Sequence, residues 1–305
     1  MQDGSKKAIV AAFAANLGIA VSKFVGFVIT GSTGMLAEAV HSFADTGNQG
    51  LLMLGSKRSR RTATARHPFG YGQERYFWAF VVALVMFSIG GMFAIYEGVS
   101  KLRHPHETEN LTVAVGILLI AIVLESYSLL TAVREARHEK PPHWSWWKFI
   151  RRAKTPELPA LLLEDTAAEI GLFLALAGVG LSSITGNPRW DAAGSLAIGG
   201  LLVVVAIVLG IEMKALLVGE AASPAQEDAI AEAMASHHRV NQLIHLRTLH
   251  IGPDELLVAA KLEFDQTMTM AQLADAIDAV EVDVRRTVPI ATVIYIEPDI
   301  QRPPE

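Results

Sequence analysis

Six long apolar segments dominate the first two thirds of this chain of 305 residues. Each is long enough to cross roughly 30 Å of hydrocarbon as a helix of about 20 residues. Hydrophobic residues make up 51% of the chain and charged residues only 19%, a more apolar balance than soluble domains have. The sequence therefore predicts an α-helical membrane protein with six transmembrane helices, at 8–30, 34–55, 76–101, 111–133, 158–183 and 192–218.

Lysine and arginine are concentrated in the loops that follow the second and fourth segments. Because basic loops stay in the cytoplasm, an even number of spans places the N- and C-termini there as well. The short loops favour a bacterial inner membrane, where the basic loops meet membrane lipid. These basic residues are Lys57, Arg58, Arg60, Arg61 and Arg66 in one loop, and Arg134, Arg137, Lys140, Lys148, Arg151, Arg152 and Lys154 in the other.

After residue 219 the apolar segments stop and the chain becomes charged, with short alternating runs. The pattern predicts a helix to about residue 237, strands over 243–249 and 256–264, a helix over 270–288 and a strand over 291–296. Gly252 and Pro253 mark the turn between the first two strands. We therefore expect a transmembrane domain over 1–219 and a compact α+β domain over 220–305.

The composition excludes several functions. A formal charge of −5 argues against nucleic acid as a partner, and the absence of cysteine excludes thiolate metal sites and cysteine nucleophiles. No hydrolase, zinc-protease or P-loop pattern occurs. We therefore expect a protein that is not an enzyme, holds no prosthetic group and uses a gradient instead of ATP to drive any transport.

Ionisable side chains inside membrane spans are expensive and mark functional sites. The second segment contains Glu38, His41, Asp45 and Asn48, spaced by three, four and three residues. These steps keep all four residues on one face of a helix. The alternative is that such residues only hydrogen-bond between helices and fix their packing.

The fifth segment contains Glu164, Asp165 and Glu169, of which the last two share a helix face. A pair of donors on this helix opposite the His/Asp pair of the second segment makes a four-ligand set suited to Zn²⁺. Three carboxylates also suit Mn²⁺ or Fe²⁺. The predicted metal ligands are His41, Asp45, Asp165 and Glu169, with Glu38, Asn48, Glu164 and Glu125 as accessory candidates. Glu125, in the fourth segment, serves either helix packing or a proton relay.

Several sequence runs resemble the cation diffusion facilitator family. They are LAEAVHSFADT at 36–46, HPFGYG at 67–72 and DAAGSL at 191–196. The QERY run at 73–76 and LLEDTAA at 162–168 are most similar to the branch that includes the mitochondrial zinc transporter of animals and its bacterial relatives. The resemblance implies homodimeric metal/proton antiporters with six spans and a ferredoxin-like cytoplasmic tail, and it implies metal binding by His41 and Asp45.

The fifth segment departs from the family's His-x-x-x-Asp pattern. If Asp165 matches the family's Asp, Leu161 stands at the His position and Glu169 is an additional acid. If the pair is shifted by one turn, Asp165 and Glu169 replace His and Asp. Both alignments stay open, and the departure makes zinc, manganese and iron all candidates for the transported cation.

In the tail, His245 and Glu297 match possible metal-ligand positions of the family, whereas Lys261 and Tyr295 stand where other members have His. The expected function is export of a divalent transition metal from the cytoplasm, zinc first, in exchange for protons. The alternatives are a proton-coupled carrier of another cation and a membrane-bound metal sensor that would bind metal in its tail.

Overall fold

The computed structural model describes residues 33–104 and 111–301, with scattered positions between 13 and 28. Most of the first predicted span, 8–30, therefore lies outside the described residues. Some side chains within described helices also lie outside them: those of residues 33–42, 45, 86, 87, 111, 113, 114 and 117.

Long helices match the predicted spans from the second to the sixth. Among the described residues, three helices are long and apolar enough to cross a membrane: α2 (Glu74–Arg103), α5 (Glu157–Thr185) and α6 (Arg189–Val218). The helices α1 (Thr33–Ser59) and α3 (Leu111–Glu139) have 27 and 29 residues and coincide with the second and fourth predicted segments. This part of the chain is thus mostly helical.

Helices α2 and α6 approach each other through small residues. Within α2, residues Met86–Gly91 form a π-helical turn, a common irregularity at functional sites. A Cβ atom on Gly199 of α6 would lie 2.8 Å from the backbone nitrogen of Ile95 and 3.0 Å from the carbonyl oxygen of Gly91. Small residues at such crossings let two backbones pack closely, which is the usual source of helix association in lipid.

A short helix, α4 (Trp146–Arg152), follows α3 and was not expected from the sequence. Ser145 caps its first turn by accepting a hydrogen bond from the backbone N–H of Lys148. Phe149 is 3% exposed and packs with Ala132, Ala136 and Leu162 of α3 and α5. Because α4 has only seven residues, its apolar periodicity was too short to detect in the sequence.

The tail has the predicted order of helix, strand, strand, helix and strand. The elements are α7 (Pro224–Ala235), β1 (Val240–Gly252), β2 (Glu255–Phe264), α8 (Met270–Thr287) and β3 (Ala291–Pro298). They form a three-stranded sheet of order β1-β2-β3, in which β2 is antiparallel to β1 and parallel to β3. Fully buried side chains of both helices and the middle strand make its core: Ile230, Met234, Leu256, Val258, Leu262, Val280 and Val284.

The loop between α1 and α2 belongs structurally with the tail. One compact unit comprises Met1–Ser56 and Phe77–Met213, and the other comprises Lys57–Tyr76 and Lys214–Glu305. In the second unit a Cβ atom on Gly72 would lie only 2.6 Å from the carbonyl oxygen of Ile251, so this contact requires glycine. Arg75 Nη1 donates a hydrogen bond to Asp254 Oδ2 at 2.8 Å beside it. The domain boundary that the sequence places at residue 219 stays a prediction.

Candidate cation site

Helix α1 carries the first half of the predicted site. It is continuous from Thr33 to Ser59, so the spacing of Glu38, His41, Asp45 and Asn48 places them on one helical face. The side chains of Glu38, His41 and Asp45 lie outside the described residues. Asn48 is described and only 2% exposed. Its Nδ2 donates a hydrogen bond to Glu164 Oε1 at 2.8 Å, which joins α1 to α5.

Helix α5 carries the second half of the site, and α3 supplies hydroxyl groups to it. Asp165 is 5% exposed, and its Oδ2 accepts a hydrogen bond from Ser128 Oγ at 3.0 Å. One turn further along α5, Glu169 Oε1 accepts a hydrogen bond from Ser126 Oγ at 2.8 Å. Each of the two predicted α5 ligands is therefore held by its own serine of α3.

The donors in these contacts are neutral groups. A hydrogen bond to a charged acceptor contributes about 1.5–3 kcal/mol, and it fixes the direction of the carboxylate. A serine hydroxyl or an amide does not cancel the negative charge of the carboxylate that it binds. These three hydrogen bonds therefore orient Asp165, Glu169 and Glu164 without themselves neutralising the carboxylates.

The candidate site also contains two buried acceptor oxygens. Glu169 Oε2 and Asn48 Oδ1 are both buried, and neither has a hydrogen-bond partner among the residues that the structure describes. A buried polar atom without a partner costs about 1–3 kcal/mol, so such atoms are rare unless they serve a function. Both are oxygens, which are suitable ligands for a divalent cation.

The predicted four-ligand set is described only in part. Among the side chains in the described part of the chain, no group of three or more His, Asp or Glu residues is arranged to hold a metal ion. Two of the four predicted ligands, His41 and Asp45, are outside that part. Their grouping with Asp165 and Glu169 therefore stays a prediction.

Sequence reasoning missed the two serines. They stand in the run Glu125-Ser126-Tyr127-Ser128, a polar interruption in the middle of an otherwise apolar helix. That interruption is a usable signal, although a serine hydroxyl in a helix often binds a backbone carbonyl of its own helix. Glu125 is half-buried and also makes contacts in the structure.

The two tail candidates lie on the outer strands of the sheet, His245 on β1 and Glu297 on β3, and both are paired with Lys261 of the middle strand β2. Lys261 Nζ lies 3.0 Å from Glu297 Oε1 and 3.2 Å from Asp299 Oδ2. Hydrogen bonds to these two carboxylates raise the pKa of Lys261. His245 Nε2 accepts a hydrogen bond from Arg247 Nε at 2.8 Å. One ammonium group thus already pairs with both carboxylates of this cluster and offsets one of their two negative charges.

Long apolar helices that carry hydrogen-bonded carboxylates, followed in the chain by a domain with a small sheet, are typical of an integral membrane protein. Family comparison agrees: residues 9–218 match the cation efflux transmembrane domain, and residues 222–299 match the cation efflux protein cytoplasmic domain. The chain belongs to the cation efflux family, a family of transporters and not of enzymes. The resemblance to the cation diffusion facilitators is thereby confirmed.

Several curated relatives are similar to this chain. The human mitochondrial proton-coupled zinc antiporter SLC30A9 is 35% identical over 244 residues, which are 80% of this chain and 43% of that protein. Metal tolerance protein C4 of Arabidopsis thaliana is 30% identical over 267 residues, 87% of this chain and 58% of that protein. Magnetosome protein MamB of Paramagnetospirillum magneticum is 28% identical over 188 residues, 60% of this chain and 62% of that protein. The chain therefore spans less than half the length of the human relative.

Proposed function

We propose that this protein exports a divalent transition metal, zinc first, from the cytoplasm in exchange for protons. The observation that carries the proposal is the pair of acidic residues on α5, Asp165 and Glu169, each oriented by a serine of α3. The name of the human relative, a proton-coupled zinc antiporter, supports the same cargo and counter-ion.

The proposed cation site unites His41 and Asp45 of α1 with Asp165 and Glu169 of α5. A neutral imidazole and three carboxylates carry a charge of −3, so a bound divalent cation leaves −1. When the cation departs, the remaining like charges repel one another and bind at least one proton. Metal and protons then compete for the same oxygens, and this competition couples their opposite movements.

The choice of metal follows from the donors. The imidazole of His41 favours a transition metal over Na⁺ or a small organic ion, which argues against the alternative of another cation carrier. Three carboxylates keep Mn²⁺ and Fe²⁺ as further candidates. Glu38, one turn outward of His41, guides the ion to the exit, and Glu125, next to Ser126 in the chain, passes protons.

The proposed assembly is a homodimer of chains with six spans and a ferredoxin-like tail. The match to the cytoplasmic domain of the cation efflux proteins supports the tail as the dimer contact. The basic loops support cytoplasmic termini, and with short loops they favour a bacterial inner membrane. Access alternates by movement of the helix bundle about the fixed site.

Flux measurements on the full chain in proteoliposomes test the proposal. Wild-type protein, Asp45→Ala and the control Asp191→Asn are compared with external Zn²⁺, Mn²⁺, Fe²⁺ or Cd²⁺ while internal pH is followed. Asp191 is a suitable control because it lies in the first turn of α6 and pairs with Lys101 at 2.9 Å, outside the proposed site.

We expect metal-specific proton movement in the wild type and in Asp191→Asn, and its loss in Asp45→Ala. Unchanged flux in Asp45→Ala would refute the proposed site. Metal binding by the full chain without any flux would instead favour the sensor, although the Lys261 ion pairs in the tail argue against that function.

A further inference from the structure

The contact between Asn48 and Glu164 lies at the basic-loop edge of the predicted site. Asn48 is one turn beyond Asp45 towards the basic end of α1, where Lys57 and Arg58 stand. Glu164 lies seven residues after the start of α5 at Glu157, towards the end that follows the other basic loop. The contact is therefore on the basic-loop side of Asp45 and Asp165.

The distance along α5 separates this contact from Glu169. Five residues of helix correspond to about 7.5 Å of rise between Glu164 and Glu169. Consecutive residues of a helix also point about 100° apart. Glu164 contacts Asn48 of α1, whereas Asp165 and Glu169 contact serines of α3, so Glu164 is oriented towards a different helix from the two predicted α5 ligands.

Of the two polar atoms of the Asn48 amide, only the nitrogen makes a hydrogen bond in the described part of the chain. Its Nδ2 donates to Glu164 Oε1 at 2.8 Å, while its Oδ1 is buried and has no hydrogen-bond partner in the described part of the chain. The side chain is 2% exposed, so bulk water does not reach it freely. This buried amide oxygen, beside a carboxylate, can therefore still bind a hydrogen-bond donor or a cation.

We propose that Asn48 and Glu164 form a separate, oxygen-only station that binds the divalent cation on the basic-loop side before the ion reaches the site of His41, Asp45, Asp165 and Glu169. The inference rests on the proposed function. One carboxylate and a neutral amide bind a cation more weakly than an imidazole and three carboxylates, so the ion moves onward. Such a station sets the metal concentration at which uptake is half-maximal, whereas the four-ligand site sets the maximal rate.

A purely structural role for the contact predicts a different outcome. If Asn48 only ties α1 to α5, Glu164→Gln preserves the tie, because the glutamine oxygen also accepts from Asn48 Nδ2. The same substitution removes the charge that a cation needs. Glu164→Gln therefore separates the two roles, and Asn48→Leu removes both functions together.

The experiment measures initial uptake by the full chain in proteoliposomes against Zn²⁺ and Mn²⁺ concentration. Wild type, Asn48→Leu, Glu164→Gln and the control Ser182→Ala are compared. Ser182 is a buried polar residue of α5 far along the helix from Glu164. We expect Asn48→Leu and Glu164→Gln each to raise the half-saturating metal concentration about 10-fold with maximal rates nearly unchanged, and Ser182→Ala to match the wild type.

An unchanged half-saturating concentration in Glu164→Gln overturns the inference, even if Asn48→Leu fails to fold. Failure of the proposed function has a different signature, namely absence of metal-driven proton movement in the wild type. In that case a calorimetric titration with Zn²⁺ still decides the inference. Loss of one bound equivalent in Glu164→Gln relative to the wild type supports the station, and identical binding by the two proteins refutes it.

Discussion

Carboxylates occur in two contrasting clusters of this protein. On α5, Asp165 and Glu169 accept hydrogen bonds from neutral serine hydroxyls. In the tail, Glu297 and Asp299 are both bound by the ammonium group of Lys261. A hydroxyl group orients a carboxylate without cancelling its charge. An ammonium group orients the carboxylate and also offsets its charge. The first cluster is proposed to bind an exchangeable cation, whereas the second already contains the ammonium group of Lys261.

The largest expected effect comes from the same chemical change made in both clusters. Asp165→Asn keeps the shape of the side chain and its contact with Ser128, but removes a ligand charge inside the membrane domain. We expect metal transport in proteoliposomes to fall by at least about 100-fold, equivalent to about 2.7 kcal/mol. Glu297→Gln should leave transport within about twofold, since the proposed transport site does not use the tail cluster. Equal losses in the two variants would contradict the contrast.

A smaller effect is expected when the orientation of a carboxylate is lost and its charge is kept. Ser126→Ala removes the hydrogen bond to Glu169 Oε1. We expect the half-saturating metal concentration to rise about 10-fold, because a bond to a charged acceptor is worth about 1.5–3 kcal/mol. Ser126→Thr keeps the hydroxyl and should restore most of the affinity. If Thr and Ala behave alike, the serine does not position Glu169.

The smallest effect is expected in the tail. Its two carboxylates raise the pKa of Lys261, so the ion pairs stabilise the fold at neutral pH. A folded-state pKa above the ordinary value means that this stabilisation is lost as the pH rises through it. Thermal melting of the full chain in detergent should therefore show a small loss at alkaline pH in the wild type that Lys261→Met lacks. Identical alkaline profiles would show that the pairs contribute nothing.

Much of the fold followed from periodicity and segment length. The long apolar runs predicted the helices α1, α2, α3, α5 and α6, and alternation predicted the elements of the tail. Two features of the fold were not predicted from the sequence. Helix α4 is too short for a periodic signal, and the assignment of residues 57–76 to the unit of the tail depends on a glycine contact between distant parts of the chain.

The candidate site was predictable as a set of residue types but not as a set of contacts. Helical spacing placed Asn48 on the face of His41 and Asp45, but no pattern in one sequence pairs Asn48 with Glu164 or Ser126 with Glu169. Such pairs depend on how helices dock against each other. The union of His41 and Asp45 with the α5 acids stays a prediction.

The contact of Gly72 with the turn after β1 has a practical consequence for fragment work. A soluble fragment that begins near residue 220 would omit Lys57–Tyr76, which belongs to the same compact unit. It would expose the backbone of Ile251 and Gly252 that Gly72 covers, and it would leave Asp254 without the guanidinium of Arg75. Biophysical properties measured on such a fragment would describe an incomplete folding unit, whereas a fusion that restores residues 57–76 would supply its missing surface.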